Sequence, residues 1–226
     1  MARALTERGE IVLRRRFDDD EPEHTGGVLE LRVNGVFVVD SFENSTEVAL
    51  AGAALAEAAD PRHVLVGGLG LGFTAHEVLS DHRVERVTVA EIEEPLVQWF
   101  RDGRIPHGPA YLADGRLGVA VADVQQVVTE SPPGTFDLVL LDVDNGPDFL
   151  VFESNAAIYE KVFLRQVETT LRPDGTLVIW SSTESPQLAG SLRSVFGNST
   201  TQTLPVTLQG RDETYYLHCA TKQATR

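Results

Sequence analysis

An apolar run, Val64 to Val66, breaks into glycines at 67, 68, 70 and 72, and a helix-like pattern starts at once at Phe73. Buried strand, glycine turn and helix N-terminus in this order are the opening unit of doubly wound α/β folds. Glycine in such a turn lets backbone N–H groups approach a ligand that a Cβ would hold off. A dinucleotide turn requires a third glycine three positions after the second, and here that position is Phe73. Gly68, Gly70 and Gly72 instead alternate, as in sites that hold S-adenosylmethionine or its relatives. No Lys-Ser/Thr pair follows, which argues against a phosphate-cradling P-loop.

Strand and helix patterns alternate from Val64 onward. Strands are predicted at 63–67, 86–91, 117–122, 136–142 and 175–181, and helices at 72–80, 94–101, 123–130, 155–170 and 186–196. Such alternation implies right-handed crossovers and a parallel sheet. Residues 201–208 and 213–220 then read as a hairpin turning through Gln209-Gly-Arg-Asp212, the layout of class I methyltransferase-like folds. Before the glycine turn, 10–17 and 28–40 look like strands. Asn34-Gly35 is a hairpin signal, and Asp18 to Gly27 is an acidic solvent loop. Asn44-Ser-Thr-Glu47 reads as the cap of a helix ending near Ala58. The expected fold is therefore α/β: a doubly wound, mostly parallel seven-stranded sheet (residues 44–226) carrying a small N-terminal β-hairpin unit (1–43).

A chain of 226 residues, 42% hydrophobic, suits one such domain with a full core. Its apolar runs are strand-length, so no membrane span is expected, and residues 1–8 carry no signal-peptide stretch. The single cysteine, Cys219, excludes an internal disulfide and reads as a core thiol, consistent with a cytoplasmic protein. A net charge of −15 disfavours nucleic acid as partner. It suits a small cationic substrate, or solubility alone. The Arg14-Arg15-Arg16 run is offset by Asp18 to Glu21.

Ligands of doubly wound sheets sit at the carboxyl ends of the strands. The second strand ends in Glu91, nineteen residues past the last glycine, where a carboxylate can accept both ribose hydroxyls. Glu93 and Glu94 read as first-turn acids of the next helix. The third strand ends at Asp123, an acceptor for an adenine amino group, a plain helix cap, or both. Ile92 and Val124, next in chain to these acids, complete the predicted nucleoside site with Gly67, Gly68, Gly70 and Gly72. The fourth strand ends in Asp142, followed by Asp144 and Asp148. Acids grouped there suit a cationic substrate or proton abstraction from an amine; the plainer alternative is a polar loop with Asx-turns. Asp142 and Asp144 are the catalytic candidates, and Leu71, Asn145 and Asp148 the substrate-side ones. The six histidines show no metal-ligand spacing, so no metal is expected. His107 lies in a loop that could border the pocket, and His76 reads as a helix-face residue. No Gly-x-Ser-x-Gly elbow is present.

These residues resemble the polyamine aminopropyltransferases, the spermidine and spermine synthase family. The likeness is carried by His63 to Phe73, His76-Glu-Val-Leu, Val84 to Glu93, Ala122-Asp123, Phe136 to Asp142 and the hairpin Val33 to Asp40. It implies that Glu91 holds the ribose, Asp123 the adenine edge, and that Asp142 orients or deprotonates the attacking amine. The implied donor is decarboxylated S-adenosylmethionine. Three departures stand out. Leu71 occupies the place of the Asp in the family's GGGDGG turn. The second acid of its Asp-x-x-Asp becomes Asn145, with Asp144 one residue away. Its Tyr-His-Glu is replaced by Ser45-Thr-Glu47-Val.

Three readings are open. Aminopropyl transfer to an amine needs a donor without a carboxylate. Methyl transfer from intact S-adenosylmethionine needs a partner for that carboxylate, such as helix amides, Arg62, Arg14 to Arg16 or Arg211. The third is a nucleoside-binding module without catalysis. Phe149 to Phe152 form an apolar loop tip, a substrate lid or sheet packing. The N-terminal hairpin edge, with the family's habits, implies a homodimer.

Overall fold

The computed structural model describes residues 1–17, 27–208 and 210–224. Most of the predicted acidic loop, and Gln209 of the tail turn, lie outside the described residues.

The glycine unit forms as the sequence implies: β5 (His63–Gly67), a turn, then α2 (Phe73–Ser80). Around it the main sheet runs β10-β11-β9-β8-β5-β6-β7. Here β6 is Arg86–Glu91, β7 Leu117–Val121, β8 Phe136–Leu141, β9 Leu171–Ser181, β10 Thr200–Leu208 and β11 Arg211–Thr221. Strands β7, β6, β5, β8 and β9 pair in parallel, and β11 joins β9 and β10 antiparallel. Neighbouring side chains along each strand point to opposite faces, which yields two cores. Val64, Val66, Leu138, Leu140 and Val178 pack on one face with α1 (Ser45–Glu57), α2 and α3 (Glu94–Arg101). Leu65, Val139, Leu141, Leu177 and Ile179 pack on the other with α5 (Val124–Glu130), α6 (Lys161–Thr170) and α7 (Pro186–Phe196).

The N-terminal unit is a four-stranded antiparallel sheet, β1 (Ala2–Thr6), β2 (Gly9–Arg16), β3 (Val28–Val33) and β4 (Val36–Asp40), in chain order. β1 is unexpected: its short Ala-Arg-Ala-Leu-Thr run becomes a strand by pairing with β2, Ala4 opposite Ile11. Asn34 and Gly35 turn β3 into β4 with φ of 51° and 79°, as the hairpin signal predicts. Ile11, Leu13, Leu29, Leu31 and Val39 pack this sheet into the first core, leaving a cleft above the glycine turn. Arg14 and Arg32 converge on Glu30, which is fully buried.

Local expectations fail where tertiary contacts outweigh propensity. The helix predicted over 155–170 is a 3-10 turn, Glu153–Tyr159, then α6, separated by extended Glu160. Strand β9 starts at Leu171, four residues early, passing through Asp174 at φ 65°. A short helix, α4 (Gly108–Leu112), follows His107. Asn44 makes no side-chain cap; the Glu43 carboxylate instead accepts the Ser45 amide at 2.9 Å. No described helix is long and apolar enough to cross a membrane. Cys219 is partly buried against the core, with its thiol pushed up to about 11 by burial, as a core thiol should be.

Candidate active site

The glycine turn is bolted to both neighbouring strands. Gly68 N–H donates to the Ala90 carbonyl at 2.9 Å, and Asp142 N–H donates to the Gly67 carbonyl at 2.9 Å. Gly68 has φ +92°, and a Cβ there would sit 2.1 Å from the Asp142 carbonyl oxygen. Gly70, at φ +50°, faces the cleft with only Val39 near, at 3.6 Å. Gly68 and Gly70 line the cavity; Gly67 and Gly72 do not. Gly67 and Gly72 stand behind that wall, in packing. A Cβ on Gly67 would meet Leu141, Val124 and Val143 at 3.0–3.2 Å, and one on Gly72 would meet Phe100 and Tyr111.

Glu91, at the end of β6, is buried, with Oε2 accepting Leu69 N–H at 2.9 Å and Oε1 accepting Glu93 N–H at 2.7 Å. Glu91 also lines the cavity. Burial raises its pKa, and the amides of Glu93 and Leu69 oppose that shift. Ile92, Asp123 and Val124 line the same end. Asp123 caps α5, its Oδ1 accepting Gln125 N–H at 2.8 Å and its Oδ2 the Gln125 side-chain amide at 3.4 Å, so the cap role is real.

At the other end Asp142 closes β8, and Thr74 of α2 hydrogen-bonds its carboxyl, which burial pushes up to about 6. Glu47, on the first turn of α1, faces the same space. Burial, then the charge of Asp142, pushes it up to about 7. Thr46 Oγ donates to Glu47 Oε2 at 2.9 Å. Trp180 of β9 completes the wall beside Tyr215, ring centroids 4.9 Å apart, with its buried indole N–H unpartnered among the described residues. The sequence reading missed Glu47 because a Ser-Thr-Glu run at a helix start is satisfied by capping; only the packing of α1 against β8 and β9 brings it to Asp142.

The loop after β8 separates the other acids. Asp144 lines the cavity but is buried, its Oδ1 accepting the Asn145 and Val151 amides and its Oδ2 the Asn155 side chain, each at 2.7 Å. Asn145 also lines the cavity, and its carbonyl accepts Ser182 N–H at 3.0 Å. Asp148 is exposed, lies off the cavity and accepts the Thr183 hydroxyl at 2.8 Å. The loop turns it outward, apart from the other acids. The apolar tip divides its duties, with Val151 and Phe152 on the cavity, Leu150 in the second core and Phe149 exposed. Leu71 is buried in the cavity wall, and His107 braces it from behind through a ring-nitrogen bond of 2.7 Å to the Leu71 carbonyl. His107 does not itself line the cavity, and His76 stacks on Tyr111 with centroids 4.5 Å apart.

Arg8, in the β1–β2 turn, is the one basic side chain among the described residues lining the cavity. Its guanidinium stacks on the Phe152 ring at 4.0 Å, reaches Asn155 Oδ1 at 3.5 Å and pairs with Glu93 at 3.5 Å. It was invisible in the sequence because nothing there signals β1. The bases considered for a donor carboxylate lie elsewhere; Arg62 pairs with Asp60 and Glu85, and Arg14 with Glu30.

The geometry has counterparts. A model of the spermine/spermidine synthase domain matches residues 43–206. Polyamine aminopropyltransferase 2 of Pseudomonas aeruginosa is 31% identical over 148 residues, covering 61% of this chain and 40% of that protein. Putrescine N-methyltransferase 3 of Nicotiana tabacum is 27% identical over 179 residues, covering 72% of this chain and 43% of that protein. The chain thus spans less than half the length of these two curated relatives. Among solved structures, spermidine synthase from Thermotoga maritima superposes with a TM-score of 0.81 at 16% identity, covering 98% of this chain and 72% of that one. A spermidine synthase in complex with the transition state analogue AdoDATO gives 0.82 at 17% identity, covering 98% and 73%. These likenesses show the fold. Since the family model takes in the glycine turn, Glu91, Asp123 and Asp142 together, the chain belongs to the spermine/spermidine synthase family.

Proposed function

We propose that the protein transfers an aminopropyl group from decarboxylated S-adenosylmethionine to a small amine. The observation that carries this reading is one cavity with two unlike ends: a glycine turn tied to Glu91, and a carboxyl pair, Glu47 and Asp142. At the first end Glu91 accepts the ribose hydroxyls, Gly68 and Gly70 admit the donor's approach, and Ile92, Asp123 and Val124 border the base. At the second end Asp142 takes the proton of the attacking amine. The amine nitrogen bonds to the carbon attached to the sulfonium, the C–S electron pair returns to sulfur, and methylthioadenosine leaves. Asp144 holds the loop that frames this space, with Asn145 beside the acceptor.

Calorimetry with decarboxylated and intact S-adenosylmethionine, followed by mass spectrometry of the products, tests the reading. Tighter binding of the decarboxylated donor with release of methylthioadenosine is expected; clear preference for the intact donor defeats it. Arg8 favours a second reading, methyl transfer, because a lone base on the cavity wall is where a donor carboxylate would find a partner. The relatives' activities fit a cytoplasmic enzyme. Val36, exposed on the edge strand β4 with Phe42 just beyond, suits pairing of two copies, which analytical ultracentrifugation would test.

A further inference from the structure

We infer, on the footing of that transferase reading, that the acceptor is a monoamine on an apolar body rather than a linear diamine or polyamine. Six acids among the described residues line the cavity: Glu47, Glu91, Glu93, Asp123, Asp142 and Asp144. Four are committed within the protein. Glu91 ties the Leu69 and Glu93 amides, Glu93 pairs with Arg8, Asp123 caps α5, and Asp144 accepts three loop donors. Glu47 and Asp142 remain, each engaged by a neighbouring threonine, Thr46 and Thr74, and tied among the described residues to no backbone amide of another residue or to any base. They offer one carboxyl for each of two nitrogens, the donor's own ammonium and the attacking amine.

A diamine brings a third nitrogen. The attacking amine becomes neutral when Asp142 takes its proton, but a distal ammonium stays charged and must leave water. The wall that would receive it is Ile11, Leu31, Val39, Leu71 and Trp180, which offers no carboxylate. An unpaired charge in apolar surroundings is strongly disfavoured, whereas an alkyl or aryl body gains from burial in proportion to its area. Leu71 is central, since its side chain is buried in that wall within the glycine turn.

The test uses the full chain with saturating decarboxylated donor and compares kcat/KM for hexylamine and 2-phenylethylamine against 1,4-diaminobutane and spermidine. The expected result is a monoamine preference of about tenfold or more. Leu71→Asp should shift the preference toward the diamine by a similar factor. Val38→Asp, at a half-exposed cavity position that tolerates charge, should shift it the same way if the first variant does not fold. A diamine preference in the natural protein, or preferences unmoved in both variants, overturns the inference while donor binding leaves the transferase reading standing. Absence of donor binding in calorimetry overturns both.

Discussion

Glu47 on α1 and Asp142 at the end of β8 line one cavity, and the charge on Asp142 makes Glu47 harder to ionise. With Asp142 at about 6 and Glu47 at about 7, the pair sheds its protons across neutral pH. Turnover should therefore rise with pH between about 6 and 7, as a base must be free to accept the amine proton. Asp142→Asn should lower kcat by about 10²–10⁴-fold and leave donor affinity, read by calorimetry, within about twofold of the parent. A kcat equal to the parent's would remove Asp142 from proton transfer.

The same pair makes a stability prediction. Both folded pKa values lie above the unfolded ones, so the folded state binds more protons between about pH 4 and 7 and its stability falls as pH rises through that window. Glu47→Gln should then leave the melting temperature unchanged near pH 4. At pH 8 it should raise stability by about 1–2 kcal/mol, discounted for partial exposure, or a few degrees for a chain of this length. Calorimetric melting at the two pH values checks the difference.

Glu91 holds the turn and, on the proposed reading, the ribose as well. Glu91→Ala orphans the buried Leu69 amide and removes the ribose acceptor together. Donor affinity should fall by about 100-fold or more, with a stability loss of about 1–3 kcal/mol. Undiminished binding in the folded variant would refute the ribose assignment.

Gly68→Ala should be strongly destabilising. It forces a Cβ onto the Asp142 carbonyl and strains a backbone at φ +92°, for about 3 kcal/mol or more. Denaturant unfolding would read this. Gly70→Ala, with open space around it, should cost about 1–2 kcal/mol from conformation alone.

Arg8→Ala should loosen the roof of the site. Arg8 ties the first hairpin to Asn155, whose side chain also holds Asp144. The expected outcome is KM raised about tenfold for the acceptor, with kcat changed less. Faster amide exchange at Val151 and Asn155 would show that the loop has come free.

Local chemistry made much of this legible. The Gly68-x-Gly70-x-Gly72 turn, the strand ending in Glu91 and the Asn34-Gly35 hairpin are short-range signals, and each forms where it stands. Asp142 could be read because a strand's carboxyl end is a position in sequence. Glu47, Arg8 and Trp180 could not, since each reaches the cavity only by packing of elements distant in the chain. Asp144 and Asp148 show the limit most sharply. Four residues apart in one acidic run, they are sent inward and outward by a loop whose path depends on Val151, Asn155 and Ser182.

The contact between Gly68 and the Asp142 main chain has a mechanical consequence. On the proposed reading, the cradle for the donor and the base for the acceptor sit on adjacent strand ends joined by the Asp142 N–H to Gly67 carbonyl bond, so they travel as a single rigid jaw. Diversification of the acceptor then falls to the opposing jaw, the N-terminal sheet with α1. That part can be resculpted without disturbing the distance over which the alkyl group must cross.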